Sequence, residues 1–244
     1  MIRMFKIKKI KTVQFLAKNL SIFIFVFGLY ACNKETANTP LSEYCKVINE
    51  KLYFFSRLSD FEKNKFDKLK KSRFSKYKKD FIEAADTFNV EWELLAAVAF
   101  QESQWDPKAR SATQVKGMMM LTLPTAASVG VTNRLDPIQS IYGGAQYIAD
   151  LTSSMNYGTS SGDKIAFILA SYNLGTTNIK NAIDAIDKNS NEVTWLDLEG
   201  YLLNLKSSMD SKDYSRGQQT VDFVERVRDY YYLLLAQNCS DGEI

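Results

Sequence analysis

The chain has 244 residues, 31 Lys and Arg against 28 Asp and Glu for a net charge of +3, and no histidine. Without an imidazole a Ser-His-Asp triad, a Cys-His pair and a His-based catalytic zinc site are excluded, so proton transfer must fall to carboxylates, Tyr or Lys. So small a charge gives no argument for a nucleic-acid partner, and the length allows about one domain of roughly 100 to 200 residues after any targeting segment.

Residues 1–19 carry Arg3, Lys6, Lys8, Lys9, Lys11 and Lys18 with no acid, and an apolar stretch follows from Leu20 to Leu29. This is the layout of a bacterial export signal. The apolar stretch is well short of the ~20 residues that a spanning helix needs, which favours a cleaved segment over 1–32. Leu29-Tyr30-Ala31-Cys32 resembles the lipobox of bacterial lipoproteins, which implies that Cys32 becomes the lipidated first residue of the mature chain. Asn33, in place of Asp, resembles lipoproteins sorted to the outer membrane and facing the periplasm. An ordinary secretory signal with an incidental Cys is the plainer alternative.

Export to an oxidising compartment leaves Cys45 and Cys239 as a possible disulfide. Closing so long a loop stabilises by about 4 to 5 kcal/mol in the chain-entropy picture. Two unpaired thiols remain the other reading.

Asn33 to Pro40 is polar, as a tether should be. From Leu41 to Ala85 the pattern is amphipathic. Phe66, Leu69, Phe74, Tyr77 and Phe81 fall at helical spacings, while nine basic residues from Lys63 to Lys79 face elsewhere against Asp67 alone. The basic face suits anionic lipid or anionic wall polymer; a solvated face over packed aromatics is the simpler account.

Asn89 is placed to cap the next helix, with Glu91 and Glu93 in its first turn and an apolar body from Leu94 to Phe100. That helix delivers Glu102 near its C-terminal end, and Asp106-Pro107 stops it. Helices are expected over Thr125–Val129, Ile138–Met155, Lys164–Leu174, Thr177–Ile186, Trp195–Leu205 and Thr220–Leu235, separated by Gly, Pro, Asn and Ser. No segment sustains an alternation of period two, so the expected class is all-α.

A carboxyl at the end of an apolar helix, with Trp105 and several methionines near in sequence, sits where desolvation raises its pKa and keeps it protonated as a general acid. A Glu at a helix end is more often an exposed cap, and the remaining motifs weigh against that. Glu102-Ser103, Gly117-Met118-Met119-Met120-Leu121-Thr122, Leu135-Asp136-Pro137 with Gly143-Gly144, and Ser171-Tyr172-Asn173-Leu174-Gly175 together resemble the soluble-lytic-transglycosylase-type domain of bacterial lytic transglycosylases, glycoside hydrolase family 23. The resemblance runs from about Phe81 to Leu235.

That resemblance implies a lysozyme-like helical domain with a catalytic cleft over 81–238, preceded by a tether and basic helical region over 33–80. It implies Glu102 as the single catalytic acid/base and Ser103 as a hydroxyl bonding to substrate or to the carboxylate. It further implies Gly117, Met119 and Met120 as the floor of the cleft, and Tyr172 and Asn173 beside the carboxylate and the sugar. The implied substrate is peptidoglycan glycan strands, cleaved between N-acetylmuramic acid and N-acetylglucosamine to leave 1,6-anhydro ends, with no cofactor and no metal. Ser171 in place of Ala, Met120 in place of Gln and Phe223 in place of Tyr depart from the family pattern. A muramidase that uses water instead, and a wall-binding lipoprotein that cleaves nothing, are the alternatives; retention of Glu102 argues against the second.

Overall fold

The computed structural model describes residues 40–204 and 211–241, so Cys32 and the expected signal lie outside the described residues. Among the described residues there is no strand. The described residues form ten α-helices, and the all-α expectation holds. They are α1 (Pro40–Phe55), α2 (Asp60–Ser72), α3 (Lys78–Phe88), α4 (Trp92–Ser103), α5 (Leu123–Ser128), α6 (Pro137–Ser154), α7 (Ser161–Leu174), α8 (Thr176–Asp184), α9 (Trp195–Asn204) and α10 (Ser211–Asp241). Residues from Ile48 onward form one compact unit, and those up to Val47 group separately. No described helix is long and apolar enough to cross a membrane.

Helix starts follow side-chain chemistry. Ser59 and Glu62 form a reciprocal capping box at α2, Ser160 and Asp163 another at α7, and Thr122 and Asp136 cap α5 and α6 with Pro in the first turn. Asn89 departs from expectation. It closes α3 in the left-handed conformation, φ 53°, its own N–H reaching Ala85 O, and Glu91 stands at the start of α4 without a side-chain cap. A short polar side chain tolerates that backbone at a helix end, which settles its place.

α4 is the central helix, and every residue from Leu94 to Phe100 is buried. α10 packs along α4, α7 and α9, while α3 packs on α4 and α6. The aromatic stripe of the basic segment is core: Phe66, Phe74 and Phe81 are sealed, and Phe66 meets Phe100 at 4.7 Å and Trp105 at 5.1 Å between ring centroids. The segment breaks at a short 3-10 turn, Phe74–Lys76, between α2 and α3. Those sealed rings fix where α4 ends and hence where Glu102 stands.

Candidate active site

The end of α4 is held by Trp105, fully buried, whose indole Nε1 donates to Ala96 O at 2.9 Å. Gln104 and Trp105 both adopt positive φ, 54° and 56°, turning the chain sharply after Ser103. Arg73 donates to Gln104 O at 3.1 Å and secures the turn from outside. Glu102 therefore projects from a rigid helix end. It keeps an edge open to solvent, but the packing round its carboxyl strips away water and pushes its pKa from 4.5 up to about 8. At neutral pH this carboxyl is predominantly protonated, the state a proton donor requires.

The segment after α4 folds back across it. Gly117 has φ 87°, and a Cβ there would stand 1.7 Å from Arg134 O, so only glycine permits this approach. Arg134 donates to Gln114 O at 3.0 Å and Leu121 O at 2.9 Å, clamping the loop at both ends. Ser103 Oγ donates to Met118 O at 2.7 Å, lies 3.1 Å from Ala99 O and accepts from Asp106 N–H. Its hydroxyl is thus bonded to the loop backbone. None of these bonds is the contact with carboxylate or sugar expected of it.

Met119 also differs from its expected role. Expected in the floor of the cleft, it is fully buried against α6, where a Cβ on Gly144 would approach its Cγ to 2.6 Å and its Cε to 2.7 Å. The absence of a side chain at Gly144 leaves the space that Met119 fills, so packing decides its place. Its backbone N–H donates to the buried Ser140 Oγ at 3.1 Å. Met120, half-buried with φ 46°, is the methionine of this loop that keeps some exposure.

Tyr172 Oη donates to Met119 O at 2.7 Å, so α7 grips the same loop from the other side. Burial first, then the neighbouring charges of Glu102 and Tyr147, hold the Tyr172 phenol well above its ordinary pKa. Tyr172 stacks on Phe223 at 6.3 Å with ring planes 7° apart, and Tyr147 leans on it at 5.2 Å. Asn173 is exposed, and its Oδ1 accepts from Thr220 on α10 at 2.9 Å. Glu102, Ser103, Gly117, Met119, Met120 and Tyr172 thus come together round one loop, and Asn173 stands beside them tied to α10. Ser140, Tyr147, Arg134 and Thr220 complete the support; the nearest sequence signals were Leu135-Asp136-Pro137, next to Arg134, and the Gly143-Gly144 pair between Ser140 and Tyr147.

Residues 79–194 match the family described as Transglycosylase SLT domain. The chain is 39% identical over 194 residues to membrane-bound lytic murein transglycosylase F of Shewanella loihica, covering 77% of this chain and 40% of that protein. It is 40% identical over 178 residues to the protein of the same name from Stutzerimonas stutzeri, covering 69% and 36%. The solved structure of the 70 kDa soluble lytic transglycosylase of Escherichia coli is 19% identical with a TM-score of 0.47, over 82% of this chain and 31% of that one. The chain spans about two-fifths of the length of these curated relatives.

Proposed function

We propose that this chain is a peptidoglycan lytic transglycosylase, which cleaves the β-1,4 bond between N-acetylmuramic acid and N-acetylglucosamine and leaves 1,6-anhydromuramoyl ends during cell-wall remodelling. The observation that carries the reading is the Glu102 carboxyl, desolvated at the end of a buried helix and protonated near neutral pH. Retaining and inverting glycosidases ordinarily need a second carboxylate as nucleophile or base. Here a single Glu serves both steps. Glu102 gives its proton to the glycosidic oxygen as the bond from muramoyl C1 breaks, with the 2-acetamido oxygen assisting departure. The resulting carboxylate then takes the proton of the muramoyl C6 hydroxyl as O6 closes on C1. Protons balance and no water is consumed.

The loop 117–120 and Tyr172 support this chemistry by position. Ser103 and Tyr172 hold the Met118 and Met119 carbonyls, which fixes the loop backbone beside the carboxyl. Glycan strands would bind along this face, with the half-buried Met120 and the exposed Asn173 available for contact. Loss of anhydromuramoyl products in Glu102→Gln tests the assignment.

The finer reading concerns location. Cys32 is the lipidated first residue of a chain cleaved after residue 31, anchored in the outer membrane and facing the periplasm, with residues 33–80 as tether and basic helical region and 81–238 as catalytic domain. The names of the relatives, membrane-bound lytic murein transglycosylase F, support membrane attachment. An oxidising compartment favours a disulfide between Cys45 and Cys239. Acyl mass on the Cys32 peptide and the resistance of Cys45 and Cys239 to alkylation before reduction test these points.

A further inference from the structure

Four large aromatic side chains stand in solvent between the end of α1 and the start of α2. Tyr53 is 81% exposed, Phe54 71%, Phe55 62% and Phe61 76%. Among the other described aromatic residues only Tyr44, at 41%, is exposed, and the rest are buried or half-buried, so the strongest exposure gathers at this corner.

The corner is rigidly built. Arg228 donates to Phe55 O at 3.2 Å, Arg57 N–H donates to Asp229 Oδ2 at 2.8 Å, and Arg226 donates to Glu62 Oε1 at 2.6 Å. The end of α1, the connecting turn and the first turn of α2 therefore lie along one stretch of α10. The Ser59 capping box fixes the direction in which α2 leaves. Tyr53 and Phe54 meet edge to face at 5.1 Å.

On α2, Phe61, Lys65 and Lys68 follow at i, i+4 and i+7 and share one face, all exposed, while Phe66 turns into the core. Aromatic rings beside lysines on a rigid, solvent-facing element have the composition of a surface that enters a bilayer interface: rings settle at headgroup depth and ammonium groups meet phosphate. Residues 33–39 reach roughly 25 Å when extended and α1 adds about 20 Å between Pro40 and Tyr53, so an anchor at Cys32 keeps this corner within about 45 Å of lipid.

We propose that the corner formed by Tyr53, Phe54, Phe55 and Phe61, with Lys65 and Lys68 beside it, docks on an anionic phospholipid surface. This deepens the membrane part of the proposed function and rests on it for the nearness of the bilayer. Docking restricts how the domain turns on its tether and so limits which glycan strands meet Glu102.

Hydrogen exchange read by mass spectrometry on the full chain in vesicles of phosphatidylglycerol and phosphatidylethanolamine, beside phosphatidylcholine vesicles, tests it. Amides between 52 and 68 are expected to exchange more slowly on the anionic vesicles. That protection is expected to vanish when Tyr53, Phe54, Phe55 and Phe61 are all changed to Ser, and separately in Lys65→Glu with Lys68→Glu, while exchange in α4 stays as before and reports an intact fold. Equal exchange in both lipids would overturn the proposal. Protection that rises with protein concentration and ignores lipid would also overturn it, giving the corner to a second copy. The acyl mass on the Cys32 peptide in the same digests reads the anchor separately. A chain without acyl mass that is still protected on anionic vesicles refutes the anchor and supports the docking surface.

Discussion

Tyr172 and Met119, 53 positions apart, are joined by one hydrogen bond of 2.7 Å from the phenol to the loop carbonyl. Through it α7 sets the height of the loop 117–120, and Ser103 sets the other side through Met118 O at 2.7 Å. Two hydroxyls on two helices thus hold the backbone beside Glu102. Tyr172→Phe leaves the Met119 carbonyl without this donor, at a cost of about 1 to 3 kcal/mol in stability. A loop displaced from the carboxyl lowers the turnover number as well. Urea unfolding together with initial rates of muropeptide release checks both, and a variant of unchanged stability and rate would remove the bond from the account.

Burial raises Glu102, and the sign of its effect on folding follows. Between the ordinary pKa of 4.5 and the folded value of about 8 the native state holds a proton that the unfolded chain has lost. The contribution of this group to stability is therefore complete below about 4.5, declines as pH rises to about 8 and changes no further above that. Glu102→Gln is expected to lose this decline and to be more stable than the parent at pH 8, as measured by denaturant midpoints across pH. In the parent, kcat/KM falls as pH rises through about 8, because the free enzyme then loses its acid. A profile flat to pH 9 would contradict the assigned proton.

Ser171 Oγ is fully buried and has no hydrogen-bond partner. Replacing an unsatisfied buried hydroxyl by a methyl removes a desolvation cost, so Ser171→Ala is expected to raise stability by about 1 kcal/mol and to leave catalysis unchanged. A loss of stability on calorimetry would show that the hydroxyl is bonded after all.

Gly117 and Gly130 both have positive φ, 87° and 70°, but a Cβ at Gly117 would meet Arg134 O whereas nothing lies within 4 Å of one at Gly130. Gly130→Ala thus carries the left-handed backbone strain alone, about 1 kcal/mol. Gly117→Ala must also move backbone, and a cost above roughly 3 kcal/mol with loss of activity is expected. Equal unfolding midpoints for the two variants would refute the close approach.

Much of this architecture was legible because it is local. The apolar run from Leu94 to Phe100 and the helical spacing of Phe66, Phe74 and Phe81 declare helices and their buried sides within a few residues. Glu102 was legible from the company it keeps in sequence. What escaped depended on distant neighbours or on backbone that composition does not announce. Gln104, Trp105 and Met120 take positive φ without being glycine. Met119 is core because Gly144 leaves it room, and no spacing rule reveals that pairing. Tyr53, Phe54 and Phe55 have the apolar character of core residues, yet they stand in solvent.

Mass spectrometry of the muropeptides released from purified sacculi by the protein and by Glu102→Gln tests the central claim most directly. The account predicts anhydromuramoyl ends from the first and no release from the second. Reducing ends would make the protein a muramidase, and release undiminished in Glu102→Gln, or no release from either, would contradict the role given to this carboxyl.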